Sequence, residues 1–346
     1  MRLVLDPPPM GEDPKTSSYL AAKYLLVDLE AAGIPTVETL QALMLITLYE
    51  IGHAIYPAAY MSVSLCARMA IALGMDKVTL ASCTEMHVLE FEKRKRMWWT
   101  ALLLDRYVSI GCPGRQLATK GPKLDDPLPD DDNWDASVRT PAVHNPMTLA
   151  SDLEIKVCPF ARLAQATNLL ELVLSHVASG GADPKYSEEE VLQLSKTLIA
   201  LAKLAESEMN NSTSPANCST QSLCRSALYV LHQHYLSESE KDAAMSPTYC
   251  EHAERCLVEC SEDTLSHLRS LLKNDTNGPN MVPLLSLPSL YQAAVVQTRL
   301  FRKSEDEDIQ KSVGFLKATL KAKRQQWRVA ETYLRMLEAR EVMEFL

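Results

Sequence analysis

The sharpest chemical signature in the chain is Asp131-Asp132-Asn133-Trp134-Asp135. Carboxylates spaced D-D-x-x-D share one face when they lie on a helix, and there they can hold magnesium and a prenyl diphosphate. Three requirements of that chemistry are unmet. The motif follows Pro127 and Pro129 instead of lying inside a helical pattern. No second Asn/Asp, Ser/Thr, Glu metal motif follows downstream, and no basic, aromatic surround is evident. Short motifs recur by chance, so an all-α, magnesium-dependent prenyl-diphosphate enzyme is the weakest reading here.

Nine cysteines stand at 66, 83, 112, 158, 218, 224, 250, 256 and 260. No C-x-x-C occurs, and no pair completes four zinc ligands around Cys256 and Cys260, which share a helical pattern. Scattered buried thiols in a reducing compartment are the simpler reading. The eight histidines are dispersed, and His232-x-His234 has the wrong spacing for one helix face. No G-x-S-x-G and no phosphate-cradling glycine loop is present. The chain is therefore read as non-catalytic, with no cofactor.

The run Lys93-Arg94-Lys95-Arg96 has the composition of a nuclear import signal. Glu90 and Glu92 stand four residues before Arg94 and Arg96, the favourable order for ion pairs on a helix, so a solvated helical turn is expected. Asp105 and Arg106 are neighbours in sequence and should not face one another; Arg68 is the expected partner of Asp105.

These charges need an element to hold them. From Met97 to Leu104 only Thr100 is polar, and Trp98, Trp99 and the leucines occupy every side of the helix. A helix apolar all round must be surrounded, so this segment is expected to be the central helix, with a wet first turn and a dry middle.

The order of pieces around it resembles the regulatory, or middle homology, domain of fungal zinc binuclear cluster transcription factors. Those pieces are Arg68 to Met75 with Gly74, then Glu92 to Arg96, Trp98-Trp99, Leu104-Asp105-Arg106, Gly114-Arg115, and Asp125-Asp126-Pro127-Leu128-Pro129. Gln116 stands where the family places a proline. Coverage is clearest over about 36–130, with the C-terminal helical part over about 150–346. The resemblance implies an architectural role for Arg68, Gly74, Arg96, Trp98, Trp99, Asp105, Arg106, Gly114 and Arg115. It also implies a nuclear protein that regulates a pathway through transcriptional co-regulators, a full-length regulator or a small-molecule effector. DNA would be reached only through a zinc cluster, and the paired C-x-x-C motifs of such a cluster are missing here. Zinc is accordingly expected in that missing N-terminal segment alone. A shortened form of a full regulator and a stand-alone, cluster-less interaction protein both fit.

The rest of the chain supports a helical array. Its 346 residues are 47% hydrophobic, with only 11 glycines and 5 phenylalanines. Mean hydropathy is −0.10 and net charge −9. That balance suits an intracellular, soluble protein and disfavours a direct grip on phosphates. No apolar run reaches the ~20 residues of a membrane span. Residues 1–16 read as an extended lead-in and 17–346 as the regulatory domain.

Helices are expected from Tyr19 to Leu29, from Thr36 as cap to Ile51, and from Ala58 to Leu73 with Gly74 as stop. Residues 111–147, with six prolines and clustered aspartates, form an irregular surface crossover. Further helices are expected from Asp152 to Ala178, after a cap at Ser187, around Leu223 to His234, from Pro247 to Lys273, and from Pro288 to Lys303. One last helical stretch should then run to Leu346. The fold class is all-α.

Overall fold

A computed structural model describes residues 2–5, 8, 11–79, 88–130, 147–152, 154–179, 184–209, 215–239, 247–273 and 282–343. The described residues are all-α; two residues, Pro127 and Thr148, form an isolated antiparallel bridge. In chain order the helices are α1 Arg2–Leu5, α2 Ser17–Ala31, α3 Val37–Gly52, α4 Ala58–Ala72 and α5 Val88–Ser109. They continue with α6 Pro159–Ser179, α7 Pro184–Met209, α8 Pro215–Ser239 and α9 Pro247–Lys273. The last are α10 Leu287–Ser304, α11 Glu307–Lys323 and α12 Val329–Met343.

Local chemistry sets the boundaries. Thr16 and Thr36 cap α2 and α3, each hydroxyl accepting the backbone N–H three residues on, at 3.2 and 3.1 Å. Gly74 ends α4 in the left-handed region at φ +69°, where an L side chain is disfavoured.

Helix α5 packs on α3, α4 and α6, and every residue from Ala101 to Ser109 is buried. A second enclosed helix escaped the sequence reading. α8 is buried on all sides from Asn217 to His232, surrounded by α6, α7, α9 and α10. Its periodicity alone shows one apolar side, with Leu223, Ala227, Val230 and Leu231, because Ser, Thr and Gln fill the other. Among those side chains Thr220 Oγ1 donates to Ala216 O at 3.0 Å and Ser222 Oγ to Ser286 Oγ at 2.7 Å, whereas Ser226 Oγ is buried with no hydrogen-bond partner among the described residues. Small hydroxyls satisfied in this way let two helices approach closely without an unpaired polar group.

One apolar core joins Tyr19 of α2 to Leu337 of α12. Tyr107 of α5 donates to Leu284 O at 3.1 Å. The indole of Trp327 lies where a Cβ on Gly52 would stand, so that glycine is required for α3 to meet the start of α12.

Several expected boundaries need correction. The lead-in is not merely extended: α1 forms, Leu3 and Val4 pack on the core, and Tyr49 donates to Pro14 O at 2.7 Å. α6 starts at Pro159 and not near Asp152, since proline suits a first helical position and disfavours helix before it. α7 starts at Pro184, three residues ahead of Ser187, for the same reason. The last stretch is two helices, α11 and α12. They part where Lys323 O accepts from both Gln326 N and Trp327 N and turns the chain. The crossover is irregular over 110–130 but not all surface, for Thr119, Pro127, Leu128 and Pro129 are buried.

Candidate functional site

Of the residues singled out by spacing, Arg96, Trp98, Trp99, Asp105 and Arg106 lie on α5, under or beside the crossover, while Arg68 and Gly74 lie on and just after α4 and Gly114 and Arg115 in the crossover itself. Trp99 is 2% exposed. Its indole N–H donates to Pro127 O at 3.0 Å, and its rings pack with Leu102, Leu128, Ala161 and Ala164. Trp98 is only partly buried and bridges this cluster to the main core. The two indoles are therefore not equivalent: Trp99 is sealed and hydrogen-bonded, Trp98 is half-covered.

The basic turn is not a solvated one. Glu92 is 3% exposed and so is Lys95. Lys95 Nζ binds Glu92 Oε2 at 2.7 Å and Leu128 O at 2.9 Å, and lies over the Phe91 ring. Glu92 Oε1 accepts from Asp130 N at 2.9 Å and from Arg96 Nε at 3.1 Å. Arg96 also donates to Asp130 O and lies over Phe160. The expected pairs Glu90–Arg94 and Glu92–Arg96 both form. The burial was missed because charge alone marks a segment as wet, while here the crossover folds back and supplies carbonyl acceptors. Arg94 turns the other way and donates to Leu73 O at 2.9 Å, capping the end of α4 beside Gly74. Lys93 points to the wet side, paired at 3.6 Å with the exposed Glu38.

Asp105 and Arg106 form the second node. Asp105 accepts from Ala118 N at 3.1 Å, Thr119 N at 2.9 Å and Thr119 Oγ1 at 2.7 Å. Arg106 has no exposed surface; its Nε donates to Glu171 Oε2 at 2.7 Å, and its Nη2 to Lys120 O at 3.2 Å. Two expectations fail here. The neighbours do touch, Arg106 Nη1 to Asp105 Oδ2 at 3.1 Å. The long arginine side chain curls round to the loop segment 117–120, which both residues bind. Arg68 is not the mate of Asp105; it is exposed on α4, where the helix turns that position away from the core-facing Cys66, Ala67 and Ala70.

Gly114 and Arg115 lie exposed in the crossover. The Arg115 guanidinium stands 5.1 Å over the Tyr60 ring, and Tyr60 donates a long bond to Gln116 O. The aspartates at 131, 132 and 135 lie outside the described residues.

Sequence reasoning missed two members of this region. Glu171 reaches Arg106 from α6, and Gly121 makes room for it, since a Cβ there would meet its carboxylate. Arg162 is wholly buried, binding both Glu208 oxygens through Nε and also Gln165 and Ile155 O. A lone charge inside an apolar run, as in Ala161-Arg162-Leu163-Ala164, is the signal that would have revealed it.

Of the histidines, His53, His176, His232 and His267 are buried, and burial lowers the basicity of His53, His232 and His267 to about 4, 4 and 3. Burial pushes the thiols of Cys66, Cys224 and Cys260 up to about 12, which keeps them protonated and unreactive. Chemically, the motif region fixes a crossover to two helices through internal ion pairs.

The match to the fungal specific transcription factor domain family covers residues 7–247, more than two thirds of the chain. Over 75 residues the chain is 44% identical to "Transcription factor BOA15" of Botryotinia fuckeliana (strain B05.10), a stretch that is 22% of this chain and 42% of that protein. The chain thus spans less than half the length of this curated relative. No solved structure matches it. With the motif residues placed along α5 and the family match running from the lead-in to the start of α9, the chain belongs to the fungal specific transcription factor domain family and is a regulatory domain of that kind.

Proposed function

We propose that this domain controls transcription without turning over a substrate, by presenting a helical scaffold to co-regulators, to another part of a full-length regulator or to a small effector. DNA contact would fall to a zinc cluster elsewhere in such a regulator, and the protein would act in the nucleus. The observation that carries this reading is the inward turn of the motif's charges. Glu92, Lys95, Arg96, Asp105 and Arg106 bind the crossover and α6, so the double-tryptophan helix is a strut and not the wall of an active site. The net charge of −9 fits a role apart from phosphate binding. The regulatory unit in this reading extends from 17 to 346, because the core that starts at Tyr19 runs on through Leu257, Leu290 and Leu337, past the end of the family match.

The test is to fuse the whole chain to a heterologous DNA-binding domain and follow a reporter in a fungal host. Reporter output should change on fusion, and Arg106→Met should abolish that change while Lys93→Ala leaves it. A silent fusion, together with magnesium-dependent turnover of a prenyl diphosphate by the purified chain, would refute the reading.

A further inference from the structure

Helix α2 carries more apolar surface than its place in the fold uses. Of its 15 residues only Tyr19 and Leu26 are buried. Leu20, Tyr24 and Val27 are 41, 69 and 56% exposed, and Leu25 and, just past the helix end, Ile34 are exposed as well. A helix with apolar side chains on both faces is expected to be covered on both. α2 lies at the edge of the array and packs on α3 with one face alone.

The uncovered face has a definite spacing. Leu20, Tyr24, Val27 and Ala31 follow one another at steps of four, three and four residues, and all are exposed. That is the seam onto which a second helix packs knobs-into-holes; an extended partner has no use for it.

Charge selects the kind of helix. At 100° per residue Asp28 and Glu30 flank the seam, one on each side, and both are exposed. Neither carboxylate has an ion-pair partner among the described residues. Lys23 is the one cation of α2, and it is taken: Nζ binds Glu50 Oε1 at 3.0 Å and Ser62 Oγ at 2.9 Å. A second copy of α2 laid on this face would bring no free cation to Asp28 and Glu30, and an anionic lipid surface would repel them. A helix with lysine or arginine beside its apolar seam satisfies both.

We propose that the outer face of α2 is the docking surface for a basic amphipathic helix of a co-regulator, its apolar seam on Leu20, Tyr24, Val27 and Ala31 and its cations on Asp28 and Glu30. The proposal deepens the regulatory reading by naming a surface and a partner, and its meaning for transcription rests on that reading.

Fluorescence anisotropy of synthetic three-heptad peptides with the whole chain tests it. The probe carries leucine at a and d and lysine at e and g, where like charges keep it from pairing with itself. It should bind saturably. The same peptide with glutamate at e and g should bind at least about fivefold more weakly at low salt, since two ion pairs become two repulsions. With serine at a and d it should not bind. Tyr24→Glu with Val27→Glu should abolish binding and leave the melting temperature unchanged, both positions being exposed. Asp28→Lys with Glu30→Lys, a change that suits the dipole at this helix end, should reverse the preference between the lysine and glutamate peptides. The proposal is overturned if the lysine peptide does not bind or if the glutamate or serine version binds as tightly. It is overturned too if binding survives Tyr24→Glu with Val27→Glu, or if charge reversal leaves the preference as it was. A dimer of the chain alone that Tyr24→Glu dissolves in light scattering would also overturn it, because a second copy would then occupy the face. A chain that does not bind the lysine peptide yet alters the reporter overturns this surface alone; one that binds it but leaves the reporter silent overturns the regulatory reading alone.

Discussion

Arg106 of α5 donates through Nε to Glu171 of α6 at 2.7 Å, and the arginine contributes no exposed surface. This contact ties the double-tryptophan helix to the first helix after the crossover. Removing one partner leaves the other charge buried and unpaired. Arg106→Met is therefore expected to lower stability by about 3–5 kcal/mol. Combining it with Glu171→Leu should recover part of that loss, which urea unfolding of the two single variants and the double variant would show.

The two tryptophans should differ. Trp99→Ala removes a sealed ring and costs about 3–5 kcal/mol through the cavity it leaves. Trp98→Ala, at a half-covered position, should cost clearly less. Trp99→Phe keeps most of the packing and isolates the bond to Pro127 O, a loss of about 1–3 kcal/mol from the unsatisfied carbonyl. Equal unfolding midpoints for the two alanine variants would contradict the burial assigned to α5.

Within the basic run the positions separate by burial and not by residue type. Lys93→Ala, on the exposed pair with Glu38, should stay within about ±0.5 kcal/mol of the parent. Lys95→Ala leaves Leu128 O and one oxygen of Glu92 short of a donor, and a loss of about 2 kcal/mol or more is expected. Chemical denaturation of the two variants side by side decides it.

Stability should fall on acidification. Burial lowers His53, His232 and His267 from an ordinary 6.5 to about 4, 4 and 3, with Arg328, His252 and Arg225 adding to the respective effects. Between those values the unfolded chain binds more protons than the folded one, so the stability these groups confer is whole above 6.5 and declines as pH falls toward 4 and 3. The urea midpoint should drop steadily from pH 7 to pH 5. A flat profile over that interval would show that these imidazoles are not buried as neutral groups.

Gly52→Ala should destabilise by about 1–3 kcal/mol through overpacking against the Trp327 indole. Gly114→Ala, with open space at its Cβ position, should be silent. Thermal unfolding of both variants tests the junction of α3 and α12.

The sequence showed this fold unevenly, for physical reasons. The helix start marked by Thr36 and the stop at Gly74 are local events and were legible, whereas the cap at Thr16 was not picked out. The enclosure of α8 was not legible, since hydroxyls such as Thr220, which bonds back to its own helix, and Ser222, which bonds to Ser286, look like a wet face until the neighbouring helices are in place. Burial of Glu92 and Lys95 depends on the crossover returning over α5, a contact more than thirty residues away in sequence. The node at Asp105 and Arg106 was legible as a pair of charges needing partners. Thr119, Lys120 and Glu171 were not, because only the fold brings the loop and α6 to them. Arg68, read as a partner on sequence order alone, faces away.

The central structural claim is that the motif segment is a locked strut at the heart of the domain. Native-state amide hydrogen exchange along α5 tests it most directly. Amides from Ala101 to Ser109 should exchange only through global unfolding, with the protection of the whole molecule, while those of α2, held by Tyr19 and Leu26, exchange through lower-energy openings. Protection in α5 no greater than in α2 would contradict the account.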